Sequence, residues 1–89
     1  MGRHPYRISF APKAARQLAK LPHTAQQRAG TRIEALAANP RPHGVRKLAG
    51  VEGVYRVRVG DYRVVYRIED DELLVLKIGH RGDVYKGRG

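Results

Sequence analysis

The sequence contains no cysteine and no tryptophan, and it has a single phenylalanine. Without cysteine, a disulfide scaffold, a thiolate zinc site and a cysteine nucleophile are all excluded. No apolar run approaches the roughly 20 residues that a membrane-spanning helix requires. Charged residues at Arg3, His4 and Arg7 occupy the region where a signal peptide would begin its apolar stretch. We therefore expect a cytoplasmic protein that is not anchored in a membrane.

Acidic residues are also scarce, because eight Asp and Glu stand against eighteen Lys and Arg, a formal net charge of +10. A chain of 89 residues has room for a single domain, residues 1–89. Such a domain would carry a positive field that attracts polyanions, which indicates nucleic acid, an anionic membrane surface or an acidic protein as partner. Charge that serves solubility alone is the alternative, although about 2–8 charges usually suffice for a small domain.

The first half of the chain predicts one strand and two helices. Residues 6–10 alternate apolar and polar side chains, which is the pattern of a strand. A proline at the first helical position then favours a helix over residues 12–21. Thr24 and Gln27 have the spacing of a capping box, which predicts that a second helix begins at Thr24 and runs to residue 39.

The second half of the chain predicts a loop followed by three strands. Residues 40–53 are rich in Pro and Gly and predict a loop. Period-two patterning then predicts strands over residues 54–59, 62–69 and 73–78. Because the turns between these strands are short, the strands must be antiparallel neighbours. The predicted order is β-α-α-β-β-β, an α+β fold with a helical hairpin packed on one face of a small, antiparallel-rich sheet.

The basic residues of these strands follow the alternation. In the first, Arg56 and Arg58 share one face, and Tyr55, Val57 and Val59 take the other. The apolar set must meet the helices. Both arginines are therefore expected to point away from the core, about 7 Å apart along the strand.

The next two strands extend this basic face. Arg63 and Arg67 share a face of the second strand, and Lys77 of the third strand can join them. Strict alternation in the third strand would group Lys77 with Val75 and set Ile78 on the opposite face. Like charges that meet across strands destabilise a sheet, so the cluster indicates either a bound anion or side chains that splay into water.

Three residues near the end of the chain have side chains suited to cutting RNA. Gly79 and Gly82 bracket two of them and allow a sharp turn of the backbone, so we expect all three beside the basic face. Arg81 can stabilise the charge that builds on a reacting phosphate, and His80 can move protons near neutral pH. Tyr85 can stack on an unpaired base or take part in proton transfer. A surface histidine and a packing tyrosine are the alternatives. The four histidines lack the spacing of metal ligands, so we expect no metal or other cofactor.

Four segments carry a family resemblance, and they are Lys47-Leu48 through Gly50, Tyr55-Arg56-Val57-Arg58, Asp61-Tyr62-Arg63-Val64-Val65-Tyr66 and Ile78-Gly79-His80-Arg81. Together with the order of elements, they resemble the RelE/ParE toxin superfamily of bacterial toxin–antitoxin systems. The resemblance extends from about Tyr6 to Tyr85. The RelE branch consists of ribosome-dependent mRNA endonucleases, whereas the ParE branch has the same fold and poisons DNA gyrase.

The resemblance to the RelE branch implies roles for particular residues. The implied catalytic residues are Arg81, Tyr85, Arg63 and His80, and the implied RNA-binding residues are Arg56 and Arg58. Arg67, placed by the alternation of its strand, and Lys47 complete the predicted RNA-binding set. One departure is that Arg56 and Arg58 stand where the branch usually has lysines. Arginine keeps its proton above about pH 12 and is a poor general acid or base, so proton transfer would depend on Tyr85 or His80.

The resemblance also implies a reaction and partners. The expected activity is metal-independent cleavage of mRNA in the ribosomal A site, by attack of the 2′-hydroxyl on the adjacent phosphate. The expected partners are the ribosome with its small-subunit RNA, the message, and an acidic antitoxin in a toxin–antitoxin hetero-oligomer. Two alternatives stay open, a ParE-like toxin that inhibits gyrase without nuclease activity, and a non-catalytic basic module that binds RNA or the ribosome.

Overall fold

The computed structural model describes residues 5–80, which form two helices and a five-stranded sheet. The strands follow the order β1-β5-β4-β3-β2; β1 runs parallel to β5, and every other neighbouring pair is antiparallel. Within the described residues, no helix is long and apolar enough to span a membrane. The elements are β1 (Arg7–Phe10), α1 (Pro12–Ala19), α2 (His23–Ala38), β2 (Arg46–Lys47), β3 (Val54–Val59), β4 (Tyr62–Glu69) and β5 (Glu72–His80).

The α+β class and the antiparallel order of the three main strands are confirmed, and the predictions for the 40–53 loop and for the start of the second helix are wrong. The predicted loop 40–53 contains the short strand β2, which is held beside β3 by the Leu48 N–H donating to the Val54 carbonyl at 2.8 Å. The predicted capping box does not form. Pro22, with ψ 151°, sets the extended backbone that starts α2 one residue early, so Thr24 already lies inside the helix.

The core lies between the helices and one face of the sheet. Val57, Val64 and Ile78 occupy one cross-strand row and are each at most 3% exposed. Ile33 and Leu36 of α2 belong to the same buried cluster. This confirms that the apolar set of β3 faces the helices and leaves the opposite set on the uncovered face. Further members of the cluster are Ala14, Val59, Tyr66, Leu73 and Val75.

A β-bulge interrupts the pairing of β4 with β5. Val65 pairs with Lys77 and Tyr66 pairs with Val75, so Leu76 is an extra residue in β5. An extra residue reverses the alternation of everything that follows it. The prediction that Lys77 joins the face away from the helices is confirmed. The predicted grouping of Lys77 with Val75 is wrong, because Val75 is fully buried on the helix side.

The bulge also returns Ile78 to the core, where the side chain is 1% exposed. Strand β1 pairs with β5 only as far as Val75, and beyond that point helix α1 contacts the edge of β5. The Ile78 N–H donates to the Gln17 side-chain oxygen at 2.8 Å, and the Ala11 N–H donates to the Val75 carbonyl at 2.9 Å. These contacts give the edge of β5 hydrogen-bond partners and fix α1 against the sheet.

Tyr66 connects the centre of the sheet to the end of α2. Its hydroxyl donates to the Pro40 carbonyl at 2.6 Å, and its ring stacks on Tyr55 with the ring centroids 5.9 Å apart. Burial raises the pKa of the Tyr66 phenol to about 12, although the positive charges of Arg32 and Arg41 act in the opposite direction. The phenol must therefore be neutral for the fold to be stable.

Replacing Tyr66 tests this link. Near pH 8, Tyr66→Phe should cost about 1 kcal/mol of unfolding free energy, because the Pro40 carbonyl loses its donor. The unfolded phenol titrates near 10 and the folded one near 12, so the contribution of Tyr66 is complete below pH 10 and is lost as pH rises towards 12. Urea unfolding of both proteins should show the cost shrinking at about pH 10.5. A cost that stays constant over this range would contradict the assignment.

Candidate nucleic-acid interface

Two pairs of arginines face each other across strands on the side of the sheet away from the helices. Arg58 of β3 lies directly opposite Arg63 of β4, and Arg46 of β2 lies directly opposite Arg56 of β3. Residues directly opposite in an antiparallel pair point to the same face. Because Val57 of β3 is buried against the helices, alternation directs all four arginines to the uncovered face.

These arginines line one pocket of about 420 Å³ at the outer edge of β3. Strand β2 pairs with β3 only as far as Arg46, and the pocket lies where the edge of β3 is no longer paired. None of the described residues that line the pocket is acidic. The pocket is therefore suited to an anion. Its lining residues are Arg32, Gly44, Arg46, Arg56, Val57, Arg58 and Arg63.

Two other predicted residues share the face of the pocket and lie outside its lining. Arg67 lies opposite Val54, four residues along β4 from Arg63, or about 13 Å by the strand rise. Lys77 lies opposite Val65, on the far side of β4 from Arg56. Both residues extend the positive face beyond the pocket.

The structure does not bring Lys47 to this pocket. Lys47 lies opposite Tyr55, whose ring stacks on Tyr66 on the helix side, so the register assigns Lys47 to that side. Its neighbour Arg46 lines the pocket instead. Sequence reasoning missed Arg46 because a two-residue strand has no recognisable period. It also missed Arg32, a half-buried residue of α2 whose approach to the pocket depends on how the helix packs.

His80 also lies away from the arginine pairs. The prediction took Gly79 as the start of a sharp turn, but β5 continues through His80. His80 pairs with Tyr62, and their rings meet edge to face with centroids 5.5 Å apart. Arg63 pairs with Gly79, so alternation sets His80 on the opposite face from Arg63. The expected placement of His80 beside the basic face is wrong. Arg81 and Tyr85, the other two predicted residues, lie outside the described residues.

The charge environment of the pocket differs from that at the far edge of the sheet. There, Arg7 of β1 donates to the Asp71 carboxylate at 3.0 Å, which holds the pKa of Asp71 below its usual value. The pocket gathers arginines, and no carboxylate stands among the residues of its lining that the structure describes. Facing like charges destabilise a sheet, so an anion bound between them would stabilise it.

Among residues 5–80, no three His, Asp or Glu side chains gather in a way that could hold a metal ion. The groups that the described pocket offers to a ligand are guanidinium donors. Guanidinium groups bind phosphate through paired hydrogen bonds and keep their charge at all physiological pH values. The geometry therefore fits the phosphate groups of a nucleic acid.

Comparison with known proteins gives the family. Residues 8–85 match the family of the ParE toxin of the type II toxin–antitoxin system parDE. Toxin RelE of Mycobacterium tuberculosis is 34% identical over 89 residues, covering 93% of this chain and 89% of that protein. Toxin RelG of the same organism is 31% identical over 93 residues, covering 92% and 98%. The chain belongs to the RelE/ParE toxin superfamily of type II toxin–antitoxin systems.

Solved structures of toxin–antitoxin complexes share the fold. The archaeal RelE–RelB complex from Pyrococcus horikoshii matches with a TM-score of 0.77 and 30% identity, covering 97% of this chain and 100% of that chain. The RelBE2 complex from Mycobacterium tuberculosis matches with a TM-score of 0.72 and 30% identity, covering 88% of this chain and 100% of that chain. The two-helix, five-strand architecture is therefore that of the RelE toxins.

Repulsion between Arg58 and Arg63 gives a prediction about stability. In buffer of low ionic strength, Arg58→Gln should raise the unfolding free energy by about 0.2–1 kcal/mol, because it removes a like-charge pair across strands. Added inorganic phosphate should stabilise the unaltered protein more than this variant. Thermal unfolding at matched ionic strength measures both effects. A variant less stable than the unaltered protein in low salt would contradict the repulsion.

Proposed function

We propose that this toxin is a ribosome-dependent endoribonuclease that cuts mRNA in the ribosomal A site. The observation that carries the proposal is the pocket in which Arg58 faces Arg63 and Arg46 faces Arg56, with no acidic residue in its described lining. Such a pocket can bind the phosphate backbone of RNA and stabilise the extra negative charge of a phosphate under attack. The toxin RelE relatives support the assignment to the RelE branch.

The proposed reaction uses the message's own 2′-hydroxyl as nucleophile. The 2′-oxygen forms a bond to the adjacent phosphorus, and the bond from phosphorus to the 5′-oxygen of the next nucleotide breaks. The products are a 2′,3′-cyclic phosphate and a free 5′-hydroxyl. The 2′-hydroxyl gives up one proton and the leaving oxygen takes one up, so the reaction consumes no water and transfers no electrons. The protein has to supply charge stabilisation and a path for the proton.

The arginines would bind the reacting phosphate and stabilise the negative charge that develops on it. Arg58 and Arg63 hold the scissile phosphate between β3 and β4, and Arg81 adds a further guanidinium. Tyr85, in its phenolate form, takes the proton from the 2′-hydroxyl, because arginine does not lose its own proton and so cannot act as the base. The leaving 5′-oxygen takes a proton from solvent, and the Tyr85 phenol returns one to solvent, so the reaction balances. His80 has no part in this scheme, since it packs against Tyr62 on the other face of the sheet.

The ribosome would supply what a small open site lacks. Holding the message in an in-line geometry can contribute several kcal/mol to the barrier reduction. The positive surface around the pocket, including Arg67 and Lys77, would contact RNA backbone. Binding should therefore weaken as salt concentration rises. The protein would act in the cytoplasm, where the ribosomes are.

An acidic antitoxin would inhibit the toxin by covering the arginine pocket. The structural relatives from Pyrococcus horikoshii and Mycobacterium tuberculosis are complexes of a toxin with its antitoxin. A net charge of +10 favours an acidic segment as the inhibitory partner. A segment seated between the arginine pairs would occupy the place of the RNA phosphates.

A second candidate function is inhibition of DNA gyrase, as in the ParE branch. The match of residues 8–85 to the ParE toxin family favours it. The arginine pocket does not distinguish the two, because an acidic surface of gyrase could also bind there. A supercoiling assay separates them: inhibited gyrase with intact message would favour the second candidate, and cut message with active gyrase would favour the first.

The endonuclease proposal predicts which arginines matter. Primer extension on programmed ribosomes should show new message ends in the A site with the unaltered toxin. Arg63→Ala should lower the cleavage rate about 10²-fold, because one donor to the reacting phosphate is lost. Arg81→Ala and Tyr85→Phe should also lose most of the activity.

The matched control is Arg7→Ala, which removes one positive charge at the opposite edge of the sheet. This variant should cut at close to the unaltered rate, and circular dichroism should show that every variant is folded. Equal cleavage rates for Arg63→Ala and Arg7→Ala would contradict the assignment of Arg63 to the catalytic site. Undiminished cleavage by both Arg81→Ala and Tyr85→Phe would contradict the catalytic roles of Arg81 and Tyr85.

A further inference from the structure

The pocket contains more positive charge than one phosphate needs. Arg58 and Arg63 already form one facing pair between β3 and β4. Arg46 and Arg56 form a second facing pair between β3 and β2. The two pairs lie on opposite sides of β3 and are shifted by two residues along it. Both belong to one continuous pocket.

The spacing of the pairs follows from strand geometry. Two residues along β3 correspond to about 7 Å, and neighbouring strands lie about 4.8 Å apart, so the centres of the pairs are about 8 Å apart. Long arginine side chains can shorten this separation at their tips. The separation is therefore comparable with that of successive phosphates on an extended single strand.

The two pairs have no residue in common. On the uncovered face, the other cross-strand neighbour of Arg56 is Val65, which is 7% exposed and carries no charge. The neighbour of Arg63 on β5 is Gly79, which has no side chain. Arg56 and Arg58 are successive residues on one face of β3, so each pair contributes its own two guanidinium groups to one continuous positive surface.

We propose that Arg46 and Arg56 form a second phosphate subsite, so that the pocket binds two consecutive phosphates of single-stranded RNA. This inference rests on the proposed function for the identity of the ligand. Arg58 and Arg63 hold the scissile phosphate, and Arg46 with Arg56 holds the next phosphate along the strand. Arg46 is the residue specific to the second subsite, because β2 reaches the pocket only there.

Small ligands can test this subsite without ribosomes or cleavage. A nucleoside 3′,5′-bisphosphate carries two phosphates on one ribose, with the spacing of consecutive backbone phosphates. Calorimetric titration of the full 89-residue chain in low salt should show the bisphosphate binding at least about tenfold more tightly than the 3′- or 5′-monophosphate. Arg46→Ala should reduce binding of the bisphosphate to the level of the monophosphates and leave the better-bound monophosphate unchanged.

The matched control is Lys47→Ala, which removes the same charge from the adjacent residue of β2, on the side of Tyr55. This variant should keep the preference for the bisphosphate. If Arg46→Ala fails to fold by circular dichroism, Arg46→Gln provides the same test with a longer side chain. Equal losses from the Arg46 and Lys47 variants would overturn the inference, because they would indicate general charge attraction. No preference of the unaltered chain for the bisphosphate, or no binding at millimolar concentration, would also overturn it.

The same variants separate this inference from the proposed function. Preference for the bisphosphate that depends on Arg46, in a protein that leaves message intact on ribosomes, would support the subsite and contradict the endonuclease. Message cleavage by a protein with no such preference would support the endonuclease and contradict the subsite. On ribosomes, a neutral methylphosphonate beside the scissile phosphate should abolish the effect of Arg46→Ala at one of the two flanking positions. An unchanged effect at both positions would contradict the assignment.

Discussion

The alternation of β3 against a single covering layer of helices determines both the core and the candidate site. Val57 and Val59 must be buried, so Arg56 and Arg58 have to lie on the uncovered face. The register with β4 then sets Arg58 opposite Arg63. Guanidinium groups cannot relieve their repulsion by losing a proton, so a nearby negative charge stabilises the arrangement. The preference for an anion thus follows from the same constraint that builds the fold.

The parts of this arrangement that the sequence could predict are those with a long period-two signal. Strands β3 and β4 alternate over six and eight residues, enough to assign their arginines to a face. Strand β5 was harder, because the extra residue Leu76 reverses the alternation inside the strand. A bulge is a property of backbone pairing between strands and leaves no pattern in one strand alone. His80 was misplaced for a related reason, since Gly79 continues the strand and does not end it.

Two further residues of the pocket could not be predicted from the sequence, because their positions depend on tertiary structure. Arg46 belongs to a two-residue strand whose existence depends on pairing with β3, and Arg32 comes from a helix judged only by its apolar face. Both residues add charge where the outer edge of β3 opens. The regular alternation of β3 and β4 therefore predicted the arginines at the centre of the pocket. Arg46 and Arg32 could be assigned to it only from the folded structure. Family membership supplied the roles expected of Arg81 and Tyr85, which lie outside the described residues.

The central claim is that RNA phosphates bind between the cross-strand arginines of the uncovered face. A crystal structure of the toxin with a short 2′-O-methyl RNA tests it most directly, because the methyl group blocks the attacking oxygen and preserves the backbone phosphates. The account predicts one phosphate between Arg58 and Arg63, and the adjacent phosphate beside Arg46 and Arg56. RNA bound along the helices, or a phosphate chain that bypasses β3, would contradict it.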